Sequence, residues 1–295
     1  MNWSTLDHEP QLTRPVLSRR GFLRVAGAGF ASAACLGGYA VGVEPHWIET
    51  TRVTMPLANL PSRWVGRRVV QISDLHIGPQ VSSEYLLAAF RKVERLEPDL
   101  LLISGDFQTA FAGERVDDVW RVMRHLRPPP GGAYAVLGNH DFGHAWDNTL
   151  VGDALADRLG DCGIGMLRNQ HRQINGLTIM GVDDLWSPTY DGRTALSALP
   201  TNTPTIAMCH NPDGVDGREW AGFEGWVLAG HTHGGQCRPP FLRAPILPVI
   251  NKRYVAGQYH VGPGRTLYVN RGIGHTWRIR FNARPEITLF TLAAA

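Results

Sequence analysis

Thiols are scarce in this chain of 295 residues, and their spacing carries no motif. The four cysteines, Cys35, Cys162, Cys209 and Cys237, form no CxxC pair, which excludes a zinc knuckle and a thioredoxin-like site. The three in the body of the chain are too few and too irregular for a disulfide framework, although a single pairing among them stays open. Lysine is nearly missing, with only Lys92 and Lys252. Arginine therefore supplies almost all the positive charge, the formal net charge is +3, and no basic stripe interleaves with aromatics. That excludes a nucleic-acid groove as a partner site. There is no internal repeat and no low-complexity tract, and 43% hydrophobic with 19% charged residues excludes a disordered main body. What the chain has in quantity is histidine, 12 residues, which points toward metal chemistry.

The first 43 residues read as an address. Ser18-Arg19-Arg20-Gly21-Phe22-Leu23 leads into a weakly hydrophobic stretch rich in Ala and Gly, the pattern of a twin-arginine export signal. Glycine at that density makes a poor buried helix. The uncharged run from Val25 to Val43 is about long enough to span a bilayer, so an uncleaved anchor competes with a cleaved signal, and a lipidated Cys35 is a third option. The expected partner is the twin-arginine export machinery. The expected location is across or anchored in the bacterial inner membrane, with the catalytic body outside the cytoplasm. Residues 44–66, with Pro45, Pro56 and Pro61, read as a linker or edge strand, and 67–295 as one catalytic domain.

From residue 67 strand and helix alternate. Apolar runs at 69–73, 100–104 and 134–137 predict strands, and apolar spacing over 83–96 predicts a helix with Leu86, Leu87, Phe90, Val93 and Leu96 on one face. Further helices are expected over 115–126 and near 147–159. This order argues for an α/β sheet with covering helices. The pattern then changes: Asn175-Gly176 marks a hairpin turn, and strands recur near 204, 226, 258, 266 and 286, adding a largely β layer.

Each buried-looking strand ends in polar residues. The first ends in Asp74-Leu75-His76, the second in Gly105-Asp106 and the third in Gly138-Asn139-His140-Asp141. The later ones end in His210 and in Gly230-His231-Thr232-His233. Groups just past the carboxyl ends of parallel strands converge in one crevice. Singly, each residue has an ordinary structural reading: Asp74 as a turn residue, Asp106 as a strand terminator, Asn139 as a left-handed turn residue, His140 and His210 as core or surface histidines. Five strand ends all carrying ligand types is not an ordinary coincidence. Two carboxylates, a carboxamide and four histidines, with no thiolate, suit Zn²⁺, Mn²⁺ or Fe. Seven donors exceed the needs of one ion and divide over two if a carboxylate bridges. On an extended backbone His231 and His233 share a face, whereas a bend splits them between two; both arrangements are open at this point.

The succession D-x-H, G-D, G-N-H-D, H and G-H-x-H over these residues resembles the calcineurin-like metallophosphoesterase superfamily. The resemblance runs from about Val69 to the C-terminal end, with all five motifs intact. ISDLHIG, LAGHTHGGQ and YVNRGIG are further similar to its bacterial branch of membrane-associated or exported phosphodiesterases. The resemblance implies a four-layer α/β/β/α sandwich and two divalent metal ions (Mn, Zn or Fe). Asp74, His76 and His233 would hold one, Asn139, His210 and His231 the other, and Asp106 would bridge. His140 would contact the phosphate or protonate the leaving oxygen, Asp141 would orient its loop, and a metal-bound hydroxide would attack phosphorus without a covalent intermediate. Arg253, Arg271, His275, Asp184 and Trp186 are candidates for the pocket lining, each equally readable as a packing or surface residue. The implied activity is a phosphodiesterase acting on an envelope or lipid-linked substrate. The alternatives are a UDP-2,3-diacylglucosamine pyrophosphohydrolase of lipid A biosynthesis and a non-catalytic metal-bound scaffold.

Overall fold

The computed structural model describes residues 18–109 and 114–295, which fall into two compact units. Within the first unit, Met1–Tyr39, the described part is dominated by helix α1 (Arg19–Gly38). Its start is capped by Ser18, whose hydroxyl accepts from the Gly21 amide at 3.1 Å, and none of its residues is buried.

The second unit, Ala40–Ala295, is built on two six-stranded sheets. The first contains β1 (Glu49–Leu57), β2 (Arg68–Ile72), β3 (Leu100–Ser104), β4 (Ala133–Val136), β5 (Ile164–Met166) and β12 (Glu286–Ala294), in the order β1-β12-β2-β3-β4-β5. The second contains β6 (Gln170–Ile174), β7 (Leu177–Gly181), β8 (Thr205–Met208), β9 (Gly225–Ala229), β10 (Gly257–Gly262) and β11 (Arg265–Val269), in the order β10-β11-β9-β8-β7-β6. β2 to β5 run parallel, as do β7, β8, β9 and β11. β12 lies antiparallel to β2 and parallel to β1, so the 49–57 segment forms one edge of the first sheet. The hairpin at Asn175-Gly176 has φ of 50° and 86°, the left-handed pair that a two-residue turn with the twist of its strands requires.

Side-chain alternation sorts the strands into layers. Val70, Ile72, Leu101 and Ile103 face outward and bury Leu86 and Phe90 of α2 (Ser83–Glu94), Val119 of α3 (Val116–Met123) and Leu155 of α4 (Thr149–Asp161). The intervening Val69, Leu100, Leu102 and Val136 face inward onto Ile179, Ile206, Met208 and Leu228 of the second sheet. The outer face of that sheet, with Ala207 and Val227, is covered by Ala195 of α5 (Gly192–Ser197) and by Trp220. The result is the expected α/β/β/α stack, although its last layer is thin: one short α-helix and 3₁₀ turns. All four cysteines are unpaired, which closes the question of a Cys162, Cys209 or Cys237 bridge.

Candidate active site

The stack brings the carboxyl ends of β2, β3, β4, β8 and β9 to one place, and the residues that follow those strands fill it. Asp74 and His76 come after β2, and Asp106 after β3. Asn139, His140 and Asp141 sit in a 3₁₀ turn after β4. His210 follows β8, and His231 and His233 follow β9. Every one of these side chains is buried, the most open being His140 and His233 at 7%.

The backbone pays for this convergence. Asp74, His76, Asp106, His231 and His233 have φ of 51°, 47°, 57°, 70° and 51°, a left-handed region that costs a non-glycine residue about 1–3 kcal/mol. Cross-strand bonds hold it. The Asp74 amide donates to the Gly105 carbonyl at 2.9 Å and the His76 amide to the Asp106 carbonyl at 3.1 Å. The Asp141 carboxylate accepts from the amides of Phe107 at 2.8 Å, Gln108 at 3.2 Å and Gly138 at 2.9 Å. Asp141 thereby clamps the loop that carries Asp106 to the loop that carries Asn139. Close approach also needs glycine at 138, because a Cβ there would stand 2.6 Å from the Asp106 nitrogen and 2.8 Å from its Cγ.

The donor atoms form a chain of overlapping groups: Asp74, His76 and His233; His76, Asp106 and His140; Asp106, His210 and His231. Within each group they lie inside 4.8 Å of one another. His233 Nε2 is 3.0 Å from His76 Nε2 and 3.4 Å from Asp74 Oδ1. Asp106 Oδ2 is 3.2 Å from His210 Nε2 and 3.6 Å from His76 Nε2, so one carboxylate stands between the two halves. His231 and His233 thus lie in different groups, separated by the bend at their left-handed residues.

Hydrogen bonds outside the cluster aim the rings. The Thr109 hydroxyl donates to the His76 carbonyl at 3.3 Å and its oxygen accepts from His76 Nδ1–H at 3.2 Å, which leaves the Nε2 lone pair facing inward. His210 Nδ1 donates to the Ser104 carbonyl at 2.6 Å, and His231 Nε2 to the Pro248 carbonyl at 2.7 Å, so His231 presents Nδ1 to the site. Burial pushes His76 and His231 down to about 3, so both are neutral imidazoles, the form that ligates metal. His210 goes the other way. Burial opposes its charge, but the Asp106 carboxylate holds it well above the usual histidine range. Asp106 is held well below the carboxylate range, against its own burial, by His210 and His140. The Asp106 carboxylate thus favours positive charge beside it.

Two of the donors have no hydrogen-bond partner: Asn139 Oδ1 and His210 Nε2 are both buried without one. Such an orphaned carboxamide oxygen costs roughly 1–3 kcal/mol unless something electropositive meets it, and it fits a cation ligand.

Of the candidate lining residues, Asp184 and Trp186 reach the site. Asp184 is fully buried, accepts from the Trp186 amide at 2.8 Å and is pushed up by burial to about 6. The Trp186 ring meets His231 edge-on at 4.6 Å, and Trp146 stacks on Trp186 at 5.0 Å and faces His140 at 6.2 Å. These two indoles wall the space between His140 and His231. Arg271 instead bonds Glu286 at 2.7 Å and Glu49 at 2.8 Å, His275 packs against the Gln80 carbonyl at 3.1 Å, and Arg253 is exposed. Two neighbours gave no signal in the sequence. Trp146 lies in an unpatterned loop. Arg280 is completely buried, bonds the Gly274 carbonyl at 2.6 Å and sets its Nη2 3.3 Å from His233 Nδ1.

Comparison with known proteins agrees with this geometry. The family model described as calcineurin-like phosphoesterase matches residues 67–235. The chain is 34% identical over 290 residues to the uncharacterized metallophosphoesterase YkuE of Bacillus subtilis (strain 168), covering 94% of this chain and 98% of that one. It is 32% identical to the phosphodiesterase YaeI of Escherichia coli (strain K12), over 94% of this chain and all of the relative. It is 27% identical to the UDP-2,3-diacylglucosamine pyrophosphatase LpxG of Chlamydia trachomatis, over 85% and 91% respectively.

Proposed function

The chain belongs to the calcineurin-like phosphoesterase family and is a metal-dependent phosphoester hydrolase, and from that premise we propose that it is a phosphodiesterase acting on a membrane-borne ester outside the cytoplasm. The family works with a dinuclear divalent-metal centre. In our reading Asp74, His76 and His233 hold one ion, Asn139, His210 and His231 the other, and Asp106 is shared. The observation that carries this reading is the buried, unpartnered Asn139 oxygen in a cluster whose other donors are aimed inward by Thr109, Ser104 and Pro248. Bound there, two divalent ions such as Mn²⁺, Zn²⁺ or Fe²⁺ supply Lewis acidity at the phosphoryl oxygens and lower the pKa of water.

The remaining chemistry belongs to the chain. His140 is tethered through its backbone amide to Asp106 Oδ1 at 3.0 Å, which fixes its ring beside the donor cluster. Burial pushes its pKa down while the Asp106 carboxylate opposes that shift; the acid role needs the imidazolium, which would give its proton to the leaving oxygen and be left as neutral imidazole. Asp141 holds the two loops in register, and Trp146 with Trp186 excludes water from one side. An active-site acid beside the donor cluster supports catalysis over a scaffold role.

The leader and the relatives support the proposed substrate and compartment. Arg19–His46 is long and apolar enough to cross a membrane, and its Ser-Arg-Arg-x-Phe-Leu start supports twin-arginine export with the body outside. The relative named for UDP-2,3-diacylglucosamine supports a second reading, a sugar-lipid pyrophosphate as substrate. The test uses full-length protein in detergent with added Mn²⁺, assayed first on bis-nitrophenyl phosphate and then on extracted envelope phospholipids and UDP-diacylglucosamine. A protein that takes up no ions, or takes them up without hydrolysing any ester, would end the proposal. A reporter that is active only outside the cytoplasm, fused to the body, checks the location.

A further inference from the structure

The segment after His233 does something the hydrolytic site does not need. Residues 236–253 read QCRPPFLRAPILPVINKR, irregular throughout, with a firm base and a greasy tip. At one end the Arg238 amide donates to the Phe281 carbonyl at 2.8 Å. At the other, Val249 and Tyr254 are buried and Asp213 accepts from the Asn251 amide at 2.9 Å. Between them Phe241 is fully exposed, with Leu242 at 72%, Ile246 at 58% and Ile250 at 85%. Next to the base, Gln236 donates to the Trp277 carbonyl at 3.1 Å, and the Trp277 ring is itself 57% exposed.

Large apolar side chains grouped on a surface mark a contact with something else. Charge says what. The segment contains no Asp or Glu, and Arg238, Arg243, Lys252 and Arg253 are interleaved with the apolar residues. Among the described residues none of these four is in an ion pair, Lys252 being turned onto the carbonyls of Leu247 and Val249. A second copy of the same face would meet it with like charge. Apolar anchors flanked by cations, with an exposed Trp alongside, are the composition of a surface that enters the interface of an anionic bilayer. Pro239, Pro240, Pro245 and Pro248 limit the free loop's conformations, so less entropy is lost on docking.

We propose that residues 238–253, with Trp277, form a second membrane contact that seats the rim of the hydrolytic site on an anionic lipid surface. His231 donates to the Pro248 carbonyl at 2.7 Å, so the loop that touches lipid is bonded directly to the site. Its use in presenting lipid-borne ester rests on the function proposed above; the contact itself rests on the loop alone.

Hydrogen exchange on the full-length protein tests it, in neutral detergent and in nanodiscs of phosphatidylcholine alone or mixed with phosphatidylglycerol. The amides of 241–247 should exchange at least about fivefold more slowly in the anionic discs than in neutral ones, the factor one basic residue contributes near such a surface. The double variant R243E/R253E should lose that difference while hydrolysing bis-nitrophenyl phosphate at the wild-type rate. Equal exchange in all three environments overturns the proposal. So does protection in detergent that rises with protein concentration, which would identify a second copy as the occupant. Protection in anionic discs by a protein that hydrolyses nothing would leave the contact standing and refute the proposed function instead.

Discussion

Replacing Gly138 with alanine should disable the site without unfolding the protein. Gly138 has φ −99° and ψ 177°, which alanine adopts freely, so the only cost is contact. The new Cβ would stand 2.6 Å from the Asp106 nitrogen and 2.8 Å from its Cγ, where ordinary contact begins at 3.4 Å. Opening that gap displaces the Asp106 loop by about 1 Å, and a displacement of that size costs a catalytic site on the order of 100-fold in rate. The associated overpacking costs about 1–3 kcal/mol of stability, which a domain of this size survives. The matched control is Gly160→Ala in α4, where nothing lies within 4 Å of the added carbon and helix propensity improves by roughly 1 kcal/mol. Hydrolysis of a nitrophenyl diester with Mn²⁺, read beside a thermal melt, separates the two. A folded Gly138→Ala protein with wild-type kcat/KM would show that Asp106 does not have to sit where it does.

Three further outcomes follow from the same geometry. Asn139→Ala should lower metal content toward one ion per chain, measured by plasma mass spectrometry after gel filtration, because it deletes a buried oxygen that no protein group uses; retention of two ions would remove Asn139 from the ligand set. His140→Ala should slow diesters with poor leaving groups by about 10²–10⁴-fold and nitrophenyl esters far less, and a uniform loss across leaving groups would deny it the acid role. Burial lifts Asp184 from the ordinary 3.8 to about 6, so between those values the folded form keeps a proton that the unfolded chain has released. In metal-free protein the Asp184 contribution, read as the difference between wild type and Asp184→Asn so that the buried histidines cancel, should therefore be greatest below about pH 4 and fall, on the order of 3 kcal/mol, as pH rises to about 6. Asp184→Asn should flatten that decline and melt higher than wild type at neutral pH; parallel melting curves would contradict the buried charge.

The site was legible because its residue types and its strand ends are both sequence features. Asp74, Asp106 and His210 each follow an apolar run that is buried on both faces, and a residue that follows such a run lies at its carboxyl end. The covering helices were legible through Leu86, Phe90 and Val93. What stayed hidden depends on pairing at a distance. Nothing local to Glu286–Ala294 says that it inserts between β1 and β2 rather than joining the second sheet. Arg280 sits in an unpatterned stretch, and its burial against His233 is settled only when β12 and the turn at 272–274 close around it. Trp146 reaches the site through ring stacking, which leaves no periodic trace. α5 was missed because six residues are too short for helical spacing to register.

The placement of β12 carries a consequence for how the molecule is made. Glu49 pairs with Glu286, and Thr291 with Arg68, so β1 has no neighbour in its sheet, and β2 has only β3, until residues 286–294 have been made. Contacts of such long sequence separation form late and slowly. An emerging chain can therefore pair β2 to β5 as they appear, but the edge strand β1 is held in the sheet only when β12 slots in beside it.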